Sequence, residues 1–319
     1  MSAITLDTIR AARTRIQAIA HKTPVLTSRT FDRRAGVRAF FKCENFQPGG
    51  AFKIRGAANF INSIPPEDLE RGVVAYSSGN HAQAVAIAAG SKGVPATIVM
   101  PLDAPRSKVE ATRGYGATVI SYDRMKEDRE EIGRRVAAES GATLVPPYDH
   151  PWIVAGQGTV ALDLLEEVPD LDALVVCVGG GGLLAGCSIA AKGLNPDIRI
   201  FGVEPEDGND TFLSFRAGER VGIEPPATIA DGLRAQKPGA ITFPIVRQNV
   251  EDILLVSDDE IRQTMAFCLS RMKILVEPSG AVAAAAALFQ KLPKGLKRVG
   301  LVVTGGNVDM DILQGLPAS

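Results

Sequence analysis

Eight short runs rich in apolar and β-branched residues punctuate this chain, with room for a helix between most neighbours, and nothing else limits its fold so much. The runs are Arg38–Cys43, Val73–Tyr76, Ala96–Met100, Thr118–Ser121, Ala173–Val178, Ile198–Val203, Ile253–Val256 and Arg298–Val303. Helical patterns separate them at His81–Ala89, Arg106–Tyr115, Glu127–Ser140, Val154–Glu167, Leu183–Lys192 and Asp258–Leu275. Strands that are apolar throughout are buried on both faces, and long crossovers join parallel neighbours. The pattern therefore predicts an α/β fold with helices on both faces of parallel sheet. Residues 71–149 read as a compact run of strand–helix repeats. They are expected to form a small domain inserted into a large one built from residues 1–70 and 150–319.

Composition excludes several function classes. The chain has 319 residues, 45% hydrophobic and 22% charged, which suits a globular core. A net charge of -1 gives no reason to expect nucleic acid or an anionic membrane as partner. The first residues are polar and mixed in charge, so no secretory signal is expected. The most apolar stretch, Ala281–Phe289, is far shorter than the roughly 20 residues a membrane-spanning helix needs. Cys43, Cys177, Cys187 and Cys268 are scattered and form no CxxC pair, which suits reduced core thiols in a cytoplasmic protein. Three histidines are too few for a multi-histidine metal centre.

Four local features carry chemistry. In GGAFKIRG, Lys53 follows Phe52 and two glycines at a predicted helix start, among apolar neighbours. Such a setting eases deprotonation, which Schiff-base chemistry requires; the plainer alternative is a packed stem with a solvated head. In YSSGNH, Ser77, Ser78, Gly79 and Asn80 join a strand to a helix, where free N–H groups favour a carboxylate or phosphate, or simply cap the helix. In VVCVGGGGLLAG, four glycines between strand and helix let backbone N–H groups close on an anion. The same loop matches G-x-G-x-x-A from Gly180 to Ala185, with Glu204 at the end of the next strand, so a nicotinamide oxidoreductase is a rival reading. In VVTGGNV, Thr304 places a hydroxyl beside two glycines at the end of the last strand.

Taken in order, these segments resemble the fold-type II pyridoxal-phosphate family (the tryptophan synthase β-like architecture), in its serine/threonine dehydratase and serine racemase branch. The phrases HKTPV, KCENFQPGGAFKIRGA, SSGNHAQA, GGGGLLAG, GVEPE, TIADGL, VEPSGA and TGGN spread the likeness over nearly the whole chain. By that resemblance, Lys53 carries the cofactor and moves the Cα proton, with Phe52 beside it. Gly179, Gly180, Gly181, Gly182 and Leu183 would form the phosphate cup, Asn80 would bond the ring hydroxyl, and Thr304 the ring nitrogen. Ser77, Ser78 and Gly79 would grip the substrate carboxylate, with His81 as a further substrate contact. Glu204, the Gly208 carbonyl and Asp210 would hold a divalent cation, Mg²⁺ foremost, Ca²⁺ or Mn²⁺ as alternatives, since hard oxygen ligands suit these ions.

The resemblance implies an ammonia-lyase (dehydratase) acting on L-serine, L-threonine or 3-hydroxyaspartate, as a cytoplasmic homodimer. A neutral hydroxyl at Thr304 leaves the ring a weaker electron sink than a carboxylate would, which favours β-elimination. Arg129 and Arg234 are candidate contacts for a second substrate carboxylate. A racemase using Ser78 as a second acid/base is the alternative within the family, although Tyr148 stands where mammalian-type serine racemases carry asparagine. A non-catalytic cofactor-binding module is the alternative to any enzyme. The sequence runs only a few residues beyond TGGN, so no isoleucine-type regulatory domain is expected.

Overall fold

The computed structural model describes residues 4–104 and 106–317. Among these residues ten strands form two sheets: β1 (Val25–Leu26), β2 (Arg38–Cys43), β3 (Val73–Tyr76), β4 (Ala96–Pro101), β5 (Thr118–Tyr122), β6 (Thr143–Leu144), β7 (Ala173–Cys177), β8 (Arg199–Pro205), β9 (Asp252–Val256) and β10 (Arg298–Val303). The larger sheet runs β1-β2-β10-β7-β8-β9, and the smaller one β5-β4-β3-β6. Every pairing is parallel except β1 with β2, where Val25 opposes Lys42.

Strand β7 shows why the sequence reads as unbroken apolar runs. Ala173, Val175 and Cys177 enter one hydrophobic core, while Leu174, Val176 and Val178 enter the core on the other face. One core is filled by the alanine-rich helix Pro278–Leu288, every residue of which is buried. The other is filled by helices Pro151–Glu167 and Gly182–Leu194. Burial on both faces leaves no polar side to alternate with.

The smaller sheet draws all its strands from residues 73–144. Its core reaches further, taking in Ile54, Ala57, Phe60 and Ile61 of helix Lys53–Ile61 and also Ile153. The helix that begins with Lys53 is thus clamped between the sheets.

Three expectations need correction. The two-residue strands β1 and β6 are too short for a period-two signal to show in the sequence. The helix expected over Asp258–Leu275 ends at Phe267, passes through a π-helical turn at Cys268–Met272, and stops where Lys273 adopts φ 63°. Helix Pro151–Glu167 starts three residues earlier than its apolar pattern, because His150 caps it by accepting from the Trp152 N–H at 3.2 Å.

Candidate active site

In parallel sheets, ligands collect at the carboxyl ends of the strands. Strands β2, β10, β7 and β8 are successive neighbours, and each is followed by one of the sequence features above. The Lys53 loop follows β2, Thr304 follows β10, the four glycines follow β7, and Glu204 lies within the last residues of β8. The serine loop follows β3 of the other sheet and faces the site through Asn80, as shown below.

Lys53 opens helix Lys53–Ile61, and its Nζ donates to the Pro147 carbonyl at 2.8 Å. Burial pushes the amine down to about 8. At neutral pH this raises the neutral fraction roughly a few hundred-fold over an ordinary lysine. The Phe52 N–H donates to the Thr304 carbonyl at 3.0 Å, and Ala51 bridges Gly305, so the lysine loop is stitched to the end of β10.

Two residues further on, Arg55 is 1% exposed. Its Nε donates to Glu44 Oε2 at 2.7 Å and its Nη1 to Asp163 Oδ2 at 2.8 Å. Glu44 also accepts from Thr23 Oγ1 at 2.6 Å. Despite burial, the Arg55 charge holds the Glu44 carboxyl below its ordinary value. A buried pair with its hydrogen bonds satisfied fixes geometry more than it adds stability. Here it fixes the start of the lysine helix against β2 and helix Pro151–Glu167.

Gly181 has φ 88°, which only glycine adopts without strain, and no side chain caps helix Gly182–Leu194, which starts here. Its first N–H groups are therefore open to an anion. A side chain at Gly180 would collide with the ring of Tyr148, which lies over the loop. Burial pushes the Tyr148 hydroxyl up. Thr304 is 2% exposed, and its Oγ1 has only long contacts, 3.4 Å to the Ser279 carbonyl and 3.6 Å to Cys177 Sγ. The Cys177 thiol is pushed up to about 12 by burial, so it stays protonated.

Ser77 turns the serine loop, its Oγ accepting from the Gly79 N–H at 3.2 Å, and no side chain caps helix Asn80–Gly90. Ser78 is half-buried beside it. His81, expected among the substrate contacts, is instead 4% exposed and bonded through Nε2 to the Val145 carbonyl at 3.1 Å. Burial and the Lys53 charge push it down to about 3, so it stays neutral and braces the loop from behind. Arg129 is exposed, with its guanidinium 5.9 Å from the Tyr76 ring centroid and close enough to influence Tyr148. Arg234 is not a free cation over the site, since Nε and Nη2 both donate to the Thr228 carbonyl, at 2.9 and 2.6 Å.

Glu204 and Asp210 are both 0% exposed. Glu204 accepts the Thr211 and Phe212 N–H groups at 3.1 and 2.7 Å, tying it to the start of helix Asp210–Ala217. Neither Asp210 oxygen has a hydrogen-bond partner among the described residues. Burial, then the Asp210 charge, drives Glu204 well up, and burial pushes Asp210 up to about 7. Gly208 is buried in the intervening turn. Among the described residues no three metal-binding side chains cluster, so this site offers two carboxylates and backbone. The same geometry removes the nicotinamide rival: Glu204 is turned into a helix start and cannot meet a ribose.

The family profile described as "Pyridoxal-phosphate dependent enzyme" matches residues 16–305. The chain belongs to that family. It is 56% identical over 299 residues to the L-threo-3-hydroxyaspartate ammonia-lyase of Saccharomyces cerevisiae, covering 94% of this chain and 92% of the relative. It is 51% identical over 307 residues to the serine racemase of Schizosaccharomyces pombe, covering 96% and 95%. The structure of maize serine racemase superposes with a TM-score of 0.95 at 45% identity, covering 98% of this chain and 96% of that one.

The residues present fit the family's cofactor. A lysine with an eased deprotonation, an uncapped helix start behind a glycine turn, and a buried hydroxyl with no close partner stand at neighbouring strand ends. Lys53 would carry the cofactor, Gly179–Leu183 its phosphate, Thr304 its ring nitrogen and Asn80 its ring hydroxyl. Sequence reading passed over Tyr148 as a contact, and over Glu277 and Asn307, which hold Asn80. Glu277 offered one signal, a carboxylate immediately before an alanine-rich helix. Among the described residues no helix is long and apolar enough to cross a membrane.

Proposed function

We propose that this chain is an ammonia-lyase that converts a β-hydroxy amino acid, 3-hydroxyaspartate foremost, to a 2-oxo acid and ammonia. The observation that carries the reading is the pairing of Lys53, pushed down to about 8, with a neutral hydroxyl at Thr304 in place of a carboxylate. When bound, pyridoxal phosphate supplies a sink for the electrons left at the substrate Cα. The Lys53 amine, when free, would take the Cα proton. Thr304, a hydroxyl rather than a carboxylate, would not hold the cofactor's ring nitrogen protonated, a setting that suits loss of the β-hydroxyl. The open N–H groups at the start of helix Asn80–Gly90, with Ser77 and Ser78, bind the α-carboxylate. The relative named as a 3-hydroxyaspartate ammonia-lyase supports this choice over serine or threonine.

Arg129 is the side chain for the second carboxylate. Its guanidinium stands beside Tyr76, at the strand end that enters the serine loop. Arg129→Ala is expected to raise KM for 3-hydroxyaspartate about ten-fold, the loss of one charge-assisted pair, while leaving KM for serine unchanged. A parallel rise for both substrates in steady-state assays would remove Arg129 from that role.

The relative named as a serine racemase, together with the half-buried Ser78 hydroxyl, supports racemisation as a second activity. Elimination needs one base, racemisation one on each face. Ser78→Ala should keep most elimination of the L-substrate and lower D-isomer formation at least about a hundred-fold. Chiral product analysis beside keto-acid yield separates the two. Conversion of L-serine mainly to D-serine by the unaltered protein would instead make racemisation the principal activity.

Glu204, Asp210 and the Gly208 carbonyl form the proposed site for a divalent cation, supported by the two partnerless Asp210 oxygens. The four cysteines are free and buried, which accords with a reducing, cytoplasmic setting. Phe46 and Leu275, 47% and 42% exposed and linked by the Asn45 bond to the Leu275 carbonyl, form a patch suited to a homodimer.

A further inference from the structure

One buried carboxylate has no part in the reaction described above. Glu277 is 3% exposed and stands immediately before helix Pro278–Leu288. Its N–H donates to the Gly305 carbonyl at 3.0 Å, which fixes it to the loop after Thr304. Its Oε1 accepts from Asn80 Nδ2 at 2.7 Å, and its Oε2 accepts from the Asn307 N–H at 3.0 Å. The Asn307 side chain closes the ring: Nδ2 donates to Asn80 Oδ1 at 2.9 Å and to the Gly49 carbonyl at 2.6 Å. Side chains at Gly305 or Gly50 would collide with Glu277 and Asn307 respectively. Four segments, the lysine loop, the serine loop, the Glu277 turn and the exit of β10, are therefore joined through the paired carboxamides of Asn80 and Asn307.

A carboxamide can be turned end for end with almost no steric consequence, so its orientation is set by its partners. Burial pushes the Glu277 carboxyl up to about 8, but each of its oxygens faces an N–H donor, so a proton on either would cost one of these bonds. The ionised carboxylate accepts only, and thus selects the NH₂ end of Asn80. The Asn307 NH₂ group donates only, and thus selects the oxygen end. With both ends assigned, Asn80 keeps one unengaged N–H to offer a ligand. A buried carboxylate is costly, and a glutamine in its place would face one of the two donors with a donor of its own.

We propose that Glu277 is a positioning residue for the cofactor site, locking the Asn80 carboxamide so that it meets the cofactor's ring oxygen as a donor. This rests on the reading of Lys53 and Asn80 as cofactor ligands. Glu277 acts through Asn80, and Asn307 supports it from the opposite end.

A double-mutant cycle on the holoenzyme tests this. Asn80→Ala, Glu277→Gln and the double variant are compared by dialysis against graded pyridoxal phosphate and by the absorption spectrum of the bound cofactor. Each single change should weaken retention about ten-fold, the loss of one charge-assisted hydrogen bond or its orientation. The double variant should be no weaker than Asn80→Ala, and Glu277→Gln should share the altered spectrum of Asn80→Ala. Additive losses with an unchanged Glu277→Gln spectrum would show that Glu277 serves only the fold. If Glu277→Gln does not fold, Asn307→Ala frees the other end of the same carboxamide and enters the same cycle with the same expected coupling. Should the unaltered protein hold no pyridoxal phosphate on Lys53, the cofactor reading fails; should it hold the cofactor while the cycle is additive, only the role of Glu277 fails.

Discussion

Lys53→Ala should yield a protein that folds normally, retains no covalently attached pyridoxal phosphate, and turns over substrate at least about ten-thousand-fold more slowly. The size follows from the two tasks assigned to one nitrogen: covalent attachment of the cofactor, and proton transfer at Cα, worth about a hundred- to ten-thousand-fold alone. Folding should survive because the Lys53 side chain contributes one hydrogen bond, to the Pro147 carbonyl. The helix it opens is held elsewhere, by Arg55 against Glu44 and Asp163. Arg55 presents the reverse case, since removing it strands two buried carboxylates and should cost several kcal/mol of stability. The check is mass spectrometry after borohydride reduction, alongside single-turnover rates. Retention of a reduced cofactor adduct in Lys53→Ala would place the attachment on another amine.

Much of this architecture was legible in the chain because burial on two faces writes itself into composition. The strands β2, β3 and β10 coincide with their apolar runs to the residue. The four chemical loops were legible for a related reason. Each sits after the carboxyl end of a parallel strand, so a buried apolar run giving way to glycine, serine or threonine, at once or within a few residues, marks its place. Less visible was whatever depends on orientation. His81 follows Asn80 directly, yet it is buried toward Val145 while Asn80 joins Glu277 and Asn307. Successive residues at a helix start point in directions about 100° apart, and no local pattern states which one faces a cleft. Arg234 looked like a free cation because side-chain-to-carbonyl bonds leave no trace in sequence. Glu277 is 197 positions from Asn80, so their contact belongs to the tertiary fold alone. The proposed cation site stood between these extremes: its residues came from the family resemblance, and nothing in the chain marks the two partnerless oxygens of Asp210.

Those oxygens set the sign of the second large effect. In metal-free protein, Asp210 is pushed up to about 7 and Glu204 well above its ordinary value. The unfolded chain releases these protons near pH 4, so between roughly pH 4 and 7 the folded state binds more protons than the unfolded one. Stability from this pair is therefore greatest below pH 4 and is lost as pH rises toward 7. A divalent cation at the proposed site would bind the ionised pair and cancel that loss, so its stabilising effect should be slight at pH 5 and large at pH 7.5. The expected gain at pH 7.5 is about 3 kcal/mol at saturating ion, or several degrees in Tm. Burial pushes other acids up too, Glu277 to about 8, so the decisive quantity is the difference in Tm with cation and with chelator at each pH. Asp210→Asn removes one of the two charges that repel each other. It should therefore melt higher than the chelated parent at pH 7.5 while showing no response to Mg²⁺, Ca²⁺ or Mn²⁺. A cation response in Asp210→Asn equal to that of the parent would place the ion elsewhere. A response equally large at pH 5 and 7.5 would show that the pair is already ionised without it.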